Sequence, residues 1–395
     1  MEAIGIICEY NPFHLGHARQ YRLIRDRFGP DAAIVCLMSG QYVQRGEPAV
    51  FPRMDRTRAA LDGGADLVLE MPVPGSLSSA EGFARAGVRF LSPVCRYLCF
   101  GTESGTREAL FSTAQALLSK QFSEQLRLAL STGISFPAAR QAALEHQGLS
   151  AALLSRPNDI LGVEYCKAIL ELNSSLIPFP IHRTGDYHAQ TPDPENPSAT
   201  ALRSAIHSGR PWTQYIPVEA RKHLAASPVH TLSAGERAIL YRLRTMEDAD
   251  FEALPYGSEG LWRRFMHSAR REATLEEILT AVKTKRYTRT RLNRMVLCAF
   301  LGITEAALQS PAPYARILGF NDRGREVLKA ARGTGFYRNL GENDGSIYCA
   351  KEQLWEDLYD LFRADGPGQP GLGRKARVAY MPCSGKSRHP NRHGV

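Results

Sequence analysis

The sequence of 395 residues predicts an α/β fold, in which an open parallel sheet of the Rossmann type is followed by a mainly α-helical domain. Three observations support this prediction. Short apolar runs alternate with segments long enough for helices in the N-terminal half of the chain. The strand pattern disappears beyond Gly209, where helix-compatible stretches dominate. The chain is also long enough to fill more than one domain.

The predicted strands are five apolar runs, at residues 4–8, 33–38, 67–69, 97–100 and 176–181. Because parallel strands end at the same edge of a sheet, the segments that follow these runs are expected to converge there. Helices are expected to be inserted between the fourth and fifth runs, over residues 107–173, with breaks at Pro137 and Pro157. We therefore expect the sheet and its inserted helices to form one domain over residues 1–210.

Residues 211–365 are predicted to form the helical domain. Its helix-compatible stretches are residues 218–226, 234–246, 261–284 and 289–301. From residue 366 the chain is rich in Gly and Pro and contains six basic residues and no acidic one. We therefore expect a flexible basic tail over residues 366–395.

The composition is that of an ordinary globular protein, with 44% hydrophobic and 23% charged residues. No stretch reaches the roughly 18 apolar residues of a membrane span, and the N-terminus lacks the layout of a secretory signal, so a cytoplasmic protein without a membrane partner is expected. The formal charge of +9 suits a polyanion, although much of it lies in the tail. The eight cysteines lack paired spacing, which predicts buried thiols and no recognisable protein metal site.

The most informative motif is an H-x-G-H box at residues 14–17, between the first apolar run and a segment with helical periodicity. It is predicted to be a strand-to-helix turn, where backbone N–H groups and the helix dipole favour a phosphate oxyanion. Gly16 lets a ligand approach the backbone closely, and Pro12 stiffens the turn. His14 and His17 can add hydrogen-bond donors and are the candidate catalytic residues. The alternative interpretation is a structural histidine pair.

A second candidate element follows the predicted sheet. Ser198 and Thr200 offer hydroxyls and Arg203 offers a guanidinium fork, which together suit the β and γ phosphates of a nucleotide. An ordinary helix cap is the alternative. Asn158 stands at another predicted helix entry, where it can cap the helix or turn toward a base.

A dense basic patch is predicted in the helical domain. It surrounds Tyr287, no acidic residue lies between Glu277 and Glu305, and its members are Lys283, Lys285, Arg286, Arg289, Arg291 and Arg294. Basic side chains neutralise phosphates, and an interleaved aromatic ring can stack on an unpaired base, so the patch indicates an RNA-facing surface. A solvated helix face is the alternative.

Together with the H-x-G-H turn, S-A-T-A-L-R resembles the S-[ST]-T-x-[IL]-R element of the H-I-G-H nucleotidylyltransferase superfamily, with Ala199 in place of one hydroxyl residue. No K-M-S-K-S box is present in the sequence, which counts against an aminoacyl-tRNA synthetase. The resemblance is closer still to the bacterial tRNA(Met) cytidine acetate ligase family. The segments that show this resemblance are E-Y-N-P-F-H-L-G-H, S-G-Q-Y-V-Q-R-G-E-P-A, F-G-T-E-S-G, R-P-N-D-I-L-G-V-E-Y, S-A-T-A-L-R and K-T-K-R-Y-T-R-T-R.

This resemblance implies a nucleotidylyltransferase domain and a ligase that activates acetate with ATP as acetyl-adenylate. The enzyme then acetylates N4 of the wobble cytidine of elongator tRNA(Met), which gives N4-acetylcytidine. Mg²⁺ on the ATP phosphates is implied by the chemistry. A small apolar hollow for acetate is expected near the first turn, with a lining that the sequence does not identify.

The resemblance also assigns site residues. The implied ATP site consists of Ile7, Cys8, Glu9, Tyr10, Asn11, Pro12, Phe13, His14, Leu15, Gly16, His17, Ala18, Arg19, Gln20, Gly101, Asn158 and Arg183. Ser198, Thr200 and Arg203 are expected on the phosphate side. The expected tRNA contacts are Lys283, Lys285, Arg286, Arg289 and Arg291.

Two other functions stay open at this point. An adenylyltransferase acting on a small phosphorylated metabolite would share the first turn and need no RNA. An RNA-binding protein with a regulatory nucleotide site would share the basic patch but would not release pyrophosphate. The intact H-x-G-H box argues against the second alternative, and the basic patch argues against the first.

Overall fold

The computed structural model describes residues 1–134, 136–182, 197–339, 342, 345–371 and 375–382. Its strands are β1 (Ala3–Cys8), β2 (Ala33–Ser39), β3 (Tyr42–Val43), β4 (Glu47–Pro48), β5 (Leu67–Met71), β6 (Tyr97–Thr102), β7 (Ile177–His182), β8 (Ala315–Phe320), β9 (Tyr337–Asn339) and β10 (Ala379–Tyr380).

The helices of the N-terminal half are α1 (Leu15–Phe28), α2 (Arg53–Asp62), α3 (Val73–Ser76), α4 (Ala80–Leu91), α5 (Arg107–Leu117), α6 (Lys120–Ser131), α7 (Phe136–Glu145), α8 (Pro157–Glu171) and α9 (Ala199–His207). Those of the C-terminal half are α10 (Val218–Leu224), α11 (Glu236–Thr245), α12 (Asp248–Glu252), α13 (Leu261–Arg271), α14 (Leu275–Val282), α15 (Arg289–Leu301), α16 (Glu305–Gln309), α17 (Asp322–Ala330) and α18 (Ile347–Tyr359). Short 3-10 helices lie at Ala151–Leu154, Thr213–Tyr215 and Asp360–Phe362.

The central sheet has the strand order β10-β8-β5-β2-β1-β6-β7, with β9 also paired to β8. All neighbouring pairs from β5 to β7 are parallel. The five predicted runs are therefore confirmed as one parallel sheet. Because the chain moves outward in one direction from β1 to β5 and in the other from β6 to β7, the order reverses between β1 and β6. Ligands of such sheets bind outside the carboxyl ends of the strands at this reversal.

The prediction that strands end at Gly209 is wrong, because β8 joins the sheet antiparallel to β5. Arg316 interrupts the apolar run of β8, and its charge is compensated at 2.9 Å by Glu352, a residue far away in sequence. The strand β10 pairs in parallel with β8, whereas the sequence predicts a flexible tail from residue 366. Tyr380 of β10 packs on Phe320 with ring centroids 5.6 Å apart, which explains this docking.

Helices cover both faces of the sheet. Val88 of α4 and Val163 of α8 belong to the apolar layer on one face. Ile24 of α1 and Leu61 of α2 belong to the layer on the other face. A third apolar cluster, with Phe265 among its buried members, is the core of the helical region. This arrangement leaves the edge of the sheet at the carboxyl ends of β1 and β6 as the place for a site.

The helical stretches match the prediction with one correction. Residues 261–284 form two helices, α13 and α14, because Thr274 and Glu277 make a capping box that begins a new helix. The break at Pro157 is confirmed, since α8 begins there. Within the described residues, no helix combines the length and the apolar character that crossing a membrane requires. The seven described cysteines are free thiols, and six of them are buried.

Candidate active site

The turn between β1 and α1 is organised by the two histidines of the box. His14 is the N-cap of α1, and its Nδ1 accepts a hydrogen bond from the Gly16 N–H at 3.1 Å. In return, Nδ1 of His17 accepts one from the His14 N–H at 3.2 Å. The two rings stack with centroids 3.7 Å apart. The imidazoles thus build a capping box, and they use part of the backbone N–H capacity that the sequence suggested for a phosphate.

This capping fixes the chemistry of the rings. A nitrogen that accepts a hydrogen bond carries no proton, so a neutral ring that accepts at Nδ1 carries its proton on Nε2. Both histidines are therefore donors at Nε2, and both line a cleft at the end of β1. His14 is 1% exposed, so its donor acts in surroundings with little water. Such N–H groups suit the oxygens of a phosphate.

Neighbouring elements hold the turn in place. The Asn11 carbonyl accepts a hydrogen bond from Arg203 at 2.9 Å, and its side-chain Oδ1 accepts one from the Val50 N–H at 2.7 Å. The Asn11–Pro12 peptide bond is cis. Phe13 is fully buried and packs so closely on Gly63 that a Cβ there would lie 2.4 Å from its ring. The turn is thus anchored to α2, to α9 and to the segment before α2.

The cleft brings together most of the sequence-predicted residues. Those that line it are Ile7, Cys8, Glu9, Tyr10, Asn11, His14, His17, Gln20, Gly101, Asn158, Ser198, Thr200 and Arg203. Six other predicted residues of the turn and of α1 do not line the cleft. They are Pro12, Phe13, Leu15, Gly16, Ala18 and Arg19. Arg183 lies outside the described residues.

The loop after β6 and the start of α8 are locked together by two carboxylates. Asp159, fully buried, accepts hydrogen bonds from Thr102, from the Glu103 N–H at 2.9 Å and from the Ser104 hydroxyl at 2.7 Å. Burial raises the pKa of Asp159, but the hydrogen bonds from Thr102 and Ser104 outweigh it and leave the pKa below its ordinary value. Gly101 lies at the end of β6, directly before this connection, and lines the cleft.

The carboxylate of Glu103, in the loop, accepts hydrogen bonds from the start of α8. It accepts the backbone N–H of Asp159 at 2.9 Å and the side-chain amide of Asn158 at 2.6 Å. The side chain of Asn158 does not cap the helix, because its Nδ2 donates to Glu103. The residue also lines the cleft. The orientation of the Asn158 amide is set before any ligand arrives.

The helix α9 supplies the polar wall opposite the strands. Ser198 is its N-cap and accepts the Ala201 N–H at 3.1 Å, which is the capping role that the sequence left open. Arg203 donates to Asn11 and, at 3.3 Å, to the Thr200 hydroxyl. Thr200 and Arg203 thereby come next to the histidine turn and offer further donors to an oxyanion.

The sequence did not single out several residues of the cleft. Gln44 and Arg45 reach it from the hairpin of β3 and β4, a segment whose polar composition and flanking glycines were the available signal. The remaining wall is apolar and includes Phe83, Phe100, Leu161 and Tyr165. These residues come from α4, β6 and α8, and no local pattern distinguishes them from core positions.

The basic patch is more strongly paired than the sequence indicated. Arg286 forms an ion pair with Glu259, and Arg289 forms one with Glu276, in which Nη1 lies 2.8 Å from Oε1. The acidic partners that are missing locally thus come from other elements. Tyr287 is only 9% exposed, so little of its ring is available to stack on a base.

Other members of the patch differ in their surroundings. Arg291 donates to the Tyr256 carbonyl at 2.7 Å. Lys283 and Lys285 are exposed and take part in no ion pair within the described part of the chain. Among the exposed residues of the patch, they differ from Arg286 in lacking an ion pair with a described carboxylate.

Comparison with known proteins agrees with this geometry. The profile of the HIGH Nucleotidyl Transferase family matches residues 1–359. A tRNA(Met) cytidine acetate ligase of Clostridium acetobutylicum is 35% identical over 85% of this chain and 88% of its own length. One of Anoxybacillus flavithermus is 36% identical over 84% of this chain and 87% of its own.

Solved structures of Thermotoga maritima TmcAL also match. The apo form has a TM-score of 0.86 at 28% identity and covers 97% of this chain and 100% of its own. The form bound with α-thio ATP has a TM-score of 0.84 at 28% identity and covers 96% of this chain and 100% of its own. The chain therefore belongs to the HIGH nucleotidyl transferases and, within them, to the tRNA(Met) cytidine acetate ligase family.

Proposed function

We propose that this protein activates acetate with ATP as acetyl-adenylate and then acetylates N4 of the wobble cytidine of elongator tRNA(Met). The observation that carries the proposal is the cleft at the β1–α1 turn, where two Nε2 donors lie beside Arg203 and Thr200. The names of the relatives and the α-thio ATP in the Thermotoga maritima structure support it. Both ATP and tRNA are cytoplasmic, so we propose the cytoplasm as the place of action.

In the first step an acetate oxygen attacks the α-phosphate of ATP and pyrophosphate leaves. The enzyme has to align the reactants and to donate hydrogen bonds where negative charge develops. His14 and His17 would donate from Nε2 to the phosphate oxygens, and Arg203 would add a charged donor. Residues 7–20, Gly101, Asn158 and Arg183 form the proposed ATP site, with Ser198 and Thr200 on the phosphate side.

Mg²⁺ would enter this site with ATP. Within the described residues, no group of three or more His, Cys, Asp or Glu side chains could hold a metal ion. Mg²⁺ commonly keeps several waters and binds substrate phosphates with few protein ligands, so the residues present fit an ion that the triphosphate carries. There it would neutralise phosphate charge.

In the second step the cytosine amine attacks the acetyl carbonyl of the adenylate. This amine is a weak nucleophile, so a mixed anhydride is a suitable donor. The cytidine must leave its stack to reach the cleft, which a single-stranded anticodon loop permits. We propose that the basic patch binds the tRNA phosphates, through Lys283, Lys285, Arg286, Arg289 and Arg291.

The test is incubation of the protein with ATP, labelled acetate and total tRNA, followed by nucleoside analysis. We expect labelled N4-acetylcytidine in tRNA(Met), and only when ATP is present. Transfer of AMP to a small metabolite without RNA would favour the adenylyltransferase. Absence of acetate-dependent pyrophosphate release would favour an RNA-binding protein with a regulatory nucleotide site.

A further inference from the structure

Glu9 is an unusual residue for the wall of a triphosphate site. It follows β1 directly and lines the cleft, and among the described lining residues it is the one with a carboxylate. A carboxylate and the phosphates of ATP repel each other at short range. Among the described residues, the buried guanidinium of Arg56 interacts electrostatically with Glu9 and donates to its backbone carbonyl at 2.6 Å, so the charge is compensated from inside the protein and not by phosphate oxygens.

The hydrogen bonds around Glu9 indicate which substrate group its carboxylate faces. Its Oε1 accepts the Gln44 N–H at 2.9 Å, whereas within the described part of the chain Oε2 accepts no hydrogen bond. The Gln44 carbonyl in turn accepts a hydrogen bond from Arg294 of α15 at 3.1 Å. Glu9 is thus held from the side of the helical region.

The contact between that region and the hairpin is close. A Cβ at Gly46, where φ is +77°, would lie 2.3 Å from the Arg294 backbone nitrogen. The helix α15 also carries Arg289 and Arg291 of the basic patch. Arg203 and Thr200 approach the turn from a different element, α9. The carboxylate is therefore linked through Gln44 to the helix that carries part of the basic patch, and a nucleobase bound from that side would meet it.

We propose that Glu9 accepts the proton from the cytosine N4 amine during acetyl transfer, an inference that rests on the proposed function. The N4 lone pair forms the new bond to the acetyl carbonyl carbon, and the bond from that carbon to the AMP oxygen breaks. The electron pair of that bond leaves with AMP. The proton that N4 loses goes to Oε2 of Glu9 and then to solvent.

The chemistry requires such an acceptor. Attack by the amine places positive charge on N4, and the intermediate returns to the reactants unless the proton is removed. A positioned general base contributes about 10²- to 10⁴-fold to such a step. The hydrogen bond from Gln44 aims the carboxylate and leaves its other oxygen for the amine.

The test is Glu9→Gln, which keeps an oxygen to accept the Gln44 N–H but removes the base. Preformed acetyl-adenylate and a tRNA(Met) transcript are supplied, so that transfer is measured apart from ATP activation. We expect transfer to fall by about 100-fold or more relative to wild type. Acetate-dependent ATP–pyrophosphate exchange is measured beside transfer, and because Glu9 also belongs to the proposed ATP site, the test is whether transfer falls more than exchange. Glu124→Gln, at an exposed carboxylate of α6, is the matched control.

Transfer by Glu9→Gln at the wild-type rate would overturn the assignment. Equal losses in exchange and in transfer would also overturn it, because Glu9 would then serve ATP or its metal ion. If the wild-type protein itself showed neither acetate-dependent exchange nor transfer, the proposed function would fail instead. The two failures are therefore distinguishable.

Discussion

We propose that His14 and His17 each carry out two tasks with the two nitrogens of one ring. Nδ1 caps the helix, and this bond determines that the proton resides on Nε2 of a ring that lines the cleft. A Ser/Glu capping box would hold the turn equally well but would place a carboxylate beside the phosphates. The choice of histidine therefore follows from combining a cap with a hydrogen-bond donor.

These two tasks can be separated by substitution. His17→Ala removes both, so we expect a stability loss of about 1 kcal/mol from the missing cap and a fall of about 10²- to 10³-fold in acetate-dependent ATP–pyrophosphate exchange. His17→Asn can keep an acceptor for the His14 N–H but places no donor at the position of Nε2. It should recover stability without recovering exchange, as measured by urea unfolding and exchange rate. Exchange as fast as wild type in either variant would show that His17 has no part in adenylation.

At the scale of elements, two carboxylates join the loop after β6 to α8. Asp159 receives its hydrogen bonds from the loop, and Glu103 receives its own from the start of the helix. The pKa of Asp159 lies below its ordinary value in the folded protein. The stability that the ionised form contributes is therefore complete above the ordinary pKa and is lost as the pH falls through the folded one.

Asp159→Asn tests this connection. The amide points a donor at groups that are themselves donors, so we expect a loss of about 1–3 kcal/mol in unfolding free energy at neutral pH. Because Gly101 lies at the end of β6 directly before this loop, binding of an ATP analogue should weaken as well. Denaturant unfolding and analogue titration measure the two effects, and Asp31→Asn at an exposed position is the control. A variant that matches wild type in both would mean that the loop is held by other contacts.

The sequence predicted elements best where the signal was local. The five parallel strands are continuous apolar runs, and α15 was predicted with the bounds that it has. The strand β8 was missed because the Arg316 charge is neutralised by Glu352 on α18, a pairing that no local window contains. The break between α13 and α14 had a readable signal in Thr274 and Glu277, which the apolar periodicity obscured.

At the scale of the whole molecule, the C-terminal segment returns to the sheet. Arg53 of α2 is buried between Glu70 of β5, at 2.9 Å, and Glu356 of α18. Removing one partner of such a buried cluster would leave a charge without compensation, so α18 is tied firmly to the sheet. The division of the chain at residue 210 stays a prediction, and residues beyond it contribute β8, β9 and β10 to the sheet.

The basic patch gives a prediction at this scale. Because Arg286 and Arg289 are engaged by glutamates, Lys283 and Lys285 are the charges most available to RNA phosphates. Lys283→Glu with Lys285→Glu should raise the dissociation constant of tRNA(Met) by about tenfold at moderate salt and lower the salt dependence by about two phosphate contacts. Filter binding over a series of salt concentrations measures both.

The matched control for this pair is Lys120→Glu with Arg127→Glu, the same change in charge on the exposed side of α6. A control that weakens tRNA binding as much as the lysine pair would indicate a nonspecific effect of net charge. Unchanged affinity in the lysine variant would move the RNA surface elsewhere.

The sequence predicted those parts of the candidate site whose residues are consecutive in the chain. The turn at residues 9–17 and the polar wall at residues 198–203 carry their chemistry in consecutive residues, and the fold brings them together. The apolar wall and the exact surroundings of the basic patch depend on contacts between distant elements. Glu259 and Glu276, which neutralise two arginines of the patch, are the clearest example.

We propose that the paired histidines at the β1–α1 turn bind the phosphates of ATP. A crystal structure of this protein with a non-hydrolysable ATP analogue tests it most directly. We expect phosphate oxygens within hydrogen-bond distance of Nε2 of His14 and His17, with Arg203 close by. An analogue bound elsewhere, with the two rings making no contact to it, would show that the histidines do not bind ATP.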